Sequence, residues 1–170
     1  DVEPCGALGG AGSTLDFQGG RVYIGAGGHP IGHKPDALTV EFWIYVQNPD
    51  DNPRFLSKAF NDDGYSVGTF DNKLYPELWL ADGTRLAFGR GYYDTATWTH
   101  LAVVFKRGAF FGGYINGEEV YGTNAVPDSP LSGESQAITI GHHSFKGYID
   151  EVRIWRTARS EEQIRDNMHR

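Results

Sequence analysis

The feature that most constrains this chain is a regular succession of short strand-like segments separated by turn residues. About a dozen such segments recur at spacings of about ten residues, with no helical pattern between them. The clearest is residues 37–47, where Val40, Phe42, Ile44 and Val46 alternate with polar or aromatic positions and predict one core-facing side. The series predicts an all-β fold in which two antiparallel sheets pack as a sandwich or jelly roll.

The turn residues indicate that neighbouring strands are antiparallel. Asp82-Gly83 and Asn116-Gly117 each lie between two strand-like segments. Asp-Gly and Asn-Gly pairs tolerate the positive φ angles of a type I′ hairpin turn. We therefore expect a type I′ hairpin at both positions, and the 23 glycines of the chain fit a fold with many tight turns.

One helix is predicted, after the last strand. Ser160 and Gln163 have the spacing of a capping box, in which the serine side chain and the glutamine side chain satisfy each other's backbone N–H groups. Residues 161–168 are predicted to be helical. Ile164 and Met168 lie four residues apart, so both are expected to face the sandwich.

Composition bounds the partners and the domain organisation. The formal net charge of −7 disfavours nucleic acid and anionic membranes, and favours neutral or weakly charged ligands. No segment reaches the about 20 apolar residues of a membrane-spanning helix, so membrane insertion is not expected. The single cysteine, Cys5, allows no internal disulfide. Residues 1–12 are predicted to be a lead-in or linker, and residues 13–170 one domain.

Five segments, taken together and in order, carry a resemblance to a known family: ALTVEFWIYV, WTHLAVVF, YINGEEV, ITIG and FKGYIDEVRIWRTARSEEQIRDNM. They resemble the laminin G-like domains of the concanavalin A-like jelly-roll family, from about residue 13 to the end. The resemblance implies a two-sheet antiparallel jelly roll with one short C-terminal helix. Similar folds occur in pentraxins, legume lectins and non-catalytic modules of secreted carbohydrate-active enzymes and adhesins.

The resemblance also implies a structural calcium ion. In the family, the stretch that matches residues 15–24 carries acidic residues that help to hold the ion; here Gln18, Arg21 and Val22 occupy those places, whereas Asp150 is retained. Calcium takes six to eight oxygen ligands. Gln18 and Asp150 are therefore the predicted ligands, together with backbone carbonyls and waters. The alternative role of Asp150 is that of a buried carboxylate accepting backbone hydrogen bonds.

The sequence does not favour catalysis. The related sandwich hydrolases carry alternating acids on one strand, in the pattern E-x-D-x-x-E or E-x-D-x-E, and this pattern is missing. Asp150 and Glu151 are adjacent, so as strand residues they point to opposite faces and do not form an acid pair. We predict that the chain is not an enzyme.

Glu41 and Arg153 are predicted to form a cross-strand pair beside Trp43 and Trp155. Two roles remain open for this pair. It is either a salt bridge that stabilises the rim of the sheet or a clamp for sugar hydroxyl groups.

The remaining candidate ligand residues are aromatic, acidic or histidine side chains near strand ends. Sugar rings stack on Trp and Tyr, while sugar hydroxyls pair with carboxylates and imidazoles. The predicted ligand residues are Trp79, Tyr92, Tyr93, Asp94, His142 and His143. The predicted function is a non-catalytic, extracellular carbohydrate-binding module tethered within a larger secreted or cell-surface protein. The alternatives are a protein-interaction or adhesion domain and, third, a glycan-cleaving enzyme.

Overall fold

The structure is a computed structural model that describes residues 7–8, 14–24, 35–47, 52–59, 63–133, 137–142 and 145–169. Cys5 and His143 lie outside these residues. The elements are β1 (Ala7–Leu8), β2 (Leu15–Gln18), β3 (Val22–Ile24), β4 (Ala37–Val46), β5 (Arg54–Ala59), β6 (Gly64–Phe70), β7 (Lys73–Trp79), β8 (Arg85–Ala87), β9 (Arg90–Tyr92), β10 (Trp98–Lys106), β11 (Phe110–Ile115), β12 (Glu118–Thr123), β13 (Ile138–His142), β14 (Lys146–Trp155) and α1 (Glu161–Asn167).

The strands form two antiparallel sheets, which confirms the predicted fold class. The first sheet has the order β1-β14-β4-β10-β11-β12, and β2 also pairs with β14. The second has the order β3-β13-β5-β6-β7-β8, and β9 also pairs with β7. Strands that neighbour one another in a sheet are often far apart in sequence, as β14 and β4 are, so the chain crosses repeatedly between the two layers.

The core lies between the two sheets. The four alternating residues predicted from β4 are all buried in it, and Phe42 meets Phe55 of the second sheet with ring centroids 6.0 Å apart. Phe55 contacts Phe145 at 5.3 Å, and Phe145 contacts Phe17 at 5.6 Å. This chain of rings joins the two layers, and each ring contributes about 2 kcal/mol by burial of its apolar surface.

The turn predictions are confirmed at one position and wrong in detail at the other. Asn116 and Gly117 have φ angles of 51° and 79°, as a type I′ turn requires. At the other hairpin Gly83 has a φ of 86°, but Asp82 has no positive φ, and the backbone N–H of Leu80 donates to the carbonyl of Thr84 at 2.8 Å. This connection is therefore longer than the two residues of a type I′ turn.

Two strands were not predicted from the sequence. Ala7 and Leu8, within the predicted lead-in, pair with Arg153 and Val152 of β14. The predicted connection around residues 89–98 contains β9, which pairs with the start of β7. Both strands are very short, so neither produces an alternation long enough to recognise.

The C-terminal helix covers the outer face of the first sheet. The capping box is confirmed, because the Ser160 side chain accepts from the Gln163 N–H and the Gln163 side chain accepts from the Ser160 N–H. Ile164 is buried against Ala102, Val104 and Tyr114 in a small second core outside the sandwich. Among the described residues, no helix has the length and apolarity needed to cross a membrane.

Candidate functional site

The predicted ligand residues are divided between surface and core. Tyr92 in β9 is 70% exposed, and Asp94 after it is also exposed. Tyr93 is only 6% exposed, packs in the core and lies within hydrogen-bond distance of the Thr69 hydroxyl at 3.3 Å. We therefore leave Tyr93 out of the ligand site, because adjacent residues of an extended chain face opposite ways. His142 lies at the end of β13.

Trp79 does not share a site with Tyr92. Both lie on the outer side of the second sheet, but Trp79 is buried at the end of β7, whereas Tyr92 is opposite Lys73 at its start. Six residues of extended strand separate the two positions along β7, which is about 20 Å. One small ligand does not reach both side chains.

Exposed aromatic side chains cluster around Tyr92. Phe70, Lys73 and Tyr92 lie directly opposite one another on β6, β7 and β9, so they share one face of the sheet. Phe70 is 57% exposed, and its ring centroid lies 5.8 Å from that of Tyr75. The ammonium group of Lys73 lies 4.9 Å from the centroid of the Tyr92 ring, within cation–π range.

The turn between β6 and β7 brings these side chains together. Asp71 and Asn72 both have a φ of 53°, so the two strands are joined by a two-residue turn of the type I′ class. The Lys73 ammonium also pairs with the Asp71 carboxylate at 3.0 Å. Hydrogen bonds to Tyr92 and Asp71 raise the pKa of Lys73, so the lysine is charged at neutral pH.

A polar network continues the same face along β7. Glu77 accepts hydrogen bonds from Arg54 at 3.3 Å and from Arg85, whose Nε lies 3.2 Å from the carboxylate. Arg85 also donates to the Tyr75 hydroxyl at 3.0 Å, which ties the network to the aromatic cluster. We call Arg54, Phe70, Lys73, Tyr75, Glu77, Arg85 and Tyr92 the β7 face.

The charge of the β7 face differs from that of the whole chain. Three cations, Arg54, Lys73 and Arg85, face two carboxylates, Glu77 and the Asp71 that pairs with Lys73, so this surface keeps one net positive charge although the chain has a formal net charge of −7. The expectation of neutral ligands, which rested on net charge, therefore does not describe this surface. Local cations favour a ligand with acidic groups.

Most of the β7 face was missed by sequence reasoning. The residues Lys73, Tyr75 and Glu77 do alternate in the segment KLYPELW, which is the one signal that points to a polar and aromatic strand face. Phe70 and Arg54 come from other strands. Only the register of β5, β6 and β7 brings them to this surface.

The structure does not bring the two predicted calcium ligands next to one another. Gln18 is opposite Lys146 on β14, and Asp150 lies four residues further along that strand, about 13 Å away. Calcium ligands lie about 2.5 Å from the ion. The Gln18 amide donates to Asp16 at 3.0 Å. Asp150 accepts from the Glu151 backbone N–H at 2.8 Å, as its alternative role requires, but it is half-buried rather than buried. Within the described ranges no group of three or more acidic, His or Cys side chains could hold a metal ion.

The predicted Glu41–Arg153 pair forms beneath the C-terminal helix. The two residues are opposite one another on β4 and β14, with Nη1 4.0 Å from Oε1, and Trp155 donates to the same oxygen at 2.8 Å. Glu41 is fully buried, so it is not a clamp for sugar hydroxyls. Burial raises the pKa of Glu41 more than its contacts with Trp155, Arg159 and Arg153 lower it. The pair is structural, in the interior rather than at the rim.

Comparison with known proteins decides the family. The laminin G-like model of the concanavalin A-like lectin/glucanases superfamily matches residues 18–165. The chain belongs to this superfamily. Human Pappalysin-1 is 24% identical over 159 residues, covering 78% of the chain, and mouse Pappalysin-1 is 22% identical over 158 residues. The superfamily domain seen here spans 10% of the length of each of these relatives.

Solved structures of toxin binding domains share the superfamily fold. The binding domain of Paraclostridial Mosquitocidal Protein 1 matches 95% of the chain with a TM-score of 0.75 at 15% identity, and the chain covers 44% of it. The binding domain of Botulinum Neurotoxin DC, solved in complex with SialylT, matches 78% of the chain with a TM-score of 0.64 at 18% identity. The chain covers 35% of that structure. At these identities the likeness shows the fold alone.

Proposed function

We propose that this chain is a non-catalytic carbohydrate-binding module that holds a glycan on the β7 face. The observation that carries the proposal is the pair of exposed rings, Phe70 and Tyr92, on either side of Lys73 and next to the arginine-bound carboxylate of Glu77. Exposed rings supply stacking surface for the C–H faces of sugars. Arginine, lysine and carboxylate groups supply directional hydrogen bonds to hydroxyl groups.

The charge of the β7 face indicates which glycans bind best. A carboxylate or sulfate on a sugar pairs with Arg54, Lys73 or Arg85, and arginine binds such groups with two parallel hydrogen bonds. We therefore expect acidic glycans to bind more tightly than neutral ones. Raised salt concentration should weaken this preference, because exposed charges are screened.

The chemistry of the same face supports binding without bond cleavage. Glycosidases use two carboxyl groups about 5 to 10 Å apart. Glu77 is the one acidic residue within the described strands of the second sheet, and both of its oxygens accept hydrogen bonds from arginine side chains. A glycosidase would need a second carboxyl group beside it, and the described strands of this sheet supply none.

The domain is proposed to act outside the cell as one part of a longer protein. It corresponds to a tenth of the Pappalysin-1 sequences and to less than half of the toxin binding domains it resembles. A single shallow glycan site binds weakly, so neighbouring domains in the parent protein would add avidity. The predicted calcium ion remains a separate proposal, to be tested by melting with and without chelator.

A protein-docking role is the second candidate. Val22 and Tyr23 are both exposed on β3, the edge strand of the second sheet. An edge strand with exposed apolar side chains is a surface on which another chain can add a strand. A glycan array with no specific signal, together with a protein partner lost on Tyr23→Lys, would favour this role.

The decisive experiment is a glycan array with neutral, sialylated, uronic and sulfated glycans, repeated in calcium and in chelator. Specific binding should be lost in Phe70→Ala and Tyr92→Ala and retained in Trp98→Leu, which changes an exposed ring on the other sheet. Binding should persist in chelator, because the proposed contacts of the β7 face involve no metal ion. Glycan binding that survives both ring substitutions would contradict the proposed site, and shortened glycan products would contradict the non-catalytic role.

A further inference from the structure

A second aromatic cluster lies on the opposite side of the molecule, on the outer face of the first sheet. Trp98, Tyr45 and Tyr148 are directly opposite one another on β10, β4 and β14. Their ring centroids are 5.8 Å apart for Tyr45–Trp98, 5.8 Å for Tyr45–Tyr148 and 6.4 Å for Trp98–Tyr148. We call these three residues the aromatic triangle.

The outer two rings of the aromatic triangle lean towards each other. β10 and β14 are separated by β4 and hence by two strand spacings, which is about 9.6 Å. The Trp98 and Tyr148 rings are only 6.4 Å apart, so both side chains close in over Tyr45. The three ring centroids thus form a compact triangle instead of an open row.

The tilt of the rings favours a rounded ligand over a flat one. The planes of Tyr45 and Trp98 meet at 59°, those of Tyr45 and Tyr148 at 61°, and those of Trp98 and Tyr148 at 38°. A sugar ring stacks on a single flat surface, which these angles do not provide. A compact cation needs only to lie over a ring face within about 6 Å of its centroid, so it can be attracted by the solvent-facing sides of these tilted rings.

The aromatic triangle is open to solvent on one side. Trp98 is 40% exposed, and Tyr45 and Tyr148 are partly exposed. The next row of the sheet is covered, because the Trp43 indole donates to the Met168 carbonyl at the C-terminal end of α1. The negative end of the helix therefore lies one row away and adds a favourable field for a cation.

Carboxylates lie along one edge of the aromatic triangle. Asp16 on β2 is directly opposite Tyr148 and is exposed, and Asp150 lies on the same face two residues further along β14. Lys146 is also on this face, two residues before Tyr148, and it lies opposite Gln18. Two acids against one lysine leave this edge with a negative charge, the reverse of the β7 face.

From this geometry we propose that the aromatic triangle, with Asp16 at its edge, binds a trimethylammonium group. Such a cation offers no N–H donors, so it needs no acceptor inside the site and is held by ring faces and by charge. A primary ammonium group would lose hydrogen bonds to water that the rings do not replace. This site is separate from the β7 face, and it does not depend on the proposed function.

The test uses choline and tetramethylammonium as probes of the whole purified chain, followed by calorimetry and by nuclear magnetic resonance shifts of the indole N–H groups. The matched control ligand is the neutral tert-butyl analogue of choline, in which carbon replaces nitrogen. We expect saturable binding of both cations, with shifts centred on the Trp98 indole. The neutral analogue should bind about tenfold more weakly or not at all.

Substitutions distinguish the contribution of the aromatic rings to choline binding from that of the Asp16 carboxylate. Trp98→Leu and Tyr148→Leu should each weaken choline binding about tenfold, and Asp16→Asn should weaken it by about threefold. Tyr92→Ala serves as the control and should bind choline normally while losing glycans. Equal binding of choline and its neutral analogue, or unchanged choline binding in Trp98→Leu and Tyr148→Leu, would overturn the proposal.

The source of the trimethylammonium group is decided by comparing free choline with vesicles. Phosphatidylcholine vesicles that bind the wild-type chain but not Trp98→Leu would assign the site to lipid head groups. Choline binding without vesicle binding would assign it to soluble or peptide-borne trimethylammonium. Phosphatidylglycerol vesicles, which lack this group, should not bind through the aromatic triangle, and a loss of their binding in Trp98→Leu would contradict the proposed chemistry.

Discussion

The indole Nε1 of Trp155 donates a 2.8 Å hydrogen bond to the Glu41 carboxylate, although 114 residues separate the two in the chain. The bond joins β14 to β4 in a layer that the C-terminal helix covers. The other carboxylate oxygen, Oε2, has no hydrogen-bond partner among the described residues. The buried Glu41 carboxylate therefore depends strongly on the hydrogen bond from Trp155, because an unpaired buried polar group costs about 1 to 3 kcal/mol.

The first prediction concerns this hydrogen bond. Trp155→Phe removes the donor and leaves the buried Glu41 carboxyl group with fewer partners. We expect the free energy of unfolding to fall by about 2 kcal/mol, measured by urea denaturation. Trp98→Phe, at an exposed ring, should change it by less than about 0.5 kcal/mol. Equal effects of the two substitutions would mean that the Trp155–Glu41 bond is not a specific support of the first sheet.

The second prediction concerns pH. Burial, with smaller effects of Arg153 and His169, lowers the pKa of His100 from 6.5 to about 3. Below pH 6.5 the unfolded chain binds a proton that the folded chain does not, so folding is destabilised as the pH falls from 6.5 towards 3. The His100 contribution should lower the free energy of unfolding by about 2 kcal/mol between pH 7 and pH 5.

The control for this prediction is His100→Gln, which cannot titrate. Its free energy of unfolding should vary less between pH 7 and pH 5 than that of the wild type, even though the substitution itself is destabilising. Glu41 acts in the opposite sense, because its raised pKa makes the folded state bind a proton at pH values where the unfolded carboxyl has lost it. Identical pH slopes in wild type and His100→Gln would contradict the assignment to His100.

The third prediction concerns the helix cap. Ser160→Ala removes the acceptor of the Gln163 N–H and should lower the free energy of unfolding by about 1 kcal/mol. Ser160→Asp keeps an acceptor at the same position and should unfold within about 0.5 kcal/mol of the wild type. Chemical denaturation of both variants checks the prediction. A Ser160→Asp variant as unstable as Ser160→Ala would show that the cap contributes through something other than the acceptor.

The sequence predicts the layered fold because each long strand has a residue pattern that can be recognised without knowing its partners. Val40, Phe42, Ile44 and Val46 alternate within β4, and Ser160 and Gln163 are close enough in the chain for their pairing to be recognised. β1 and β9, in contrast, cannot be recognised from the sequence alone. They have two and three residues, so their positions depend on partner strands and not on local pattern.

The binding surfaces are harder to predict because their residues come from different strands and meet only through the register in which those strands pair. Phe70, Lys73 and Tyr92 meet only because β6, β7 and β9 align at one row, and the three rings of the aromatic triangle come from segments far apart in sequence. Tyr92 can be predicted because it lies in an aromatic pair in a short polar segment. The same argument selects Tyr93, because sequence alone does not show which of two adjacent rings enters the core.

The last prediction concerns a close approach of two backbones beneath the aromatic triangle. Gly147 has a φ of 149°, and a Cβ atom there would lie 2.0 Å from the Tyr45 carbonyl oxygen. Neither atom can move without separating β14 from β4. Gly147→Ala should therefore lower the free energy of unfolding by about 3 kcal/mol or more, or prevent folding. In the control Gly20→Ala the added Cβ meets open space, so that variant should unfold within about 0.5 kcal/mol of the wild type. The measurement is urea denaturation, with the yield of soluble protein as a second readout. Equal unfolding midpoints for the two variants would show that β14 does not approach β4 as closely as described.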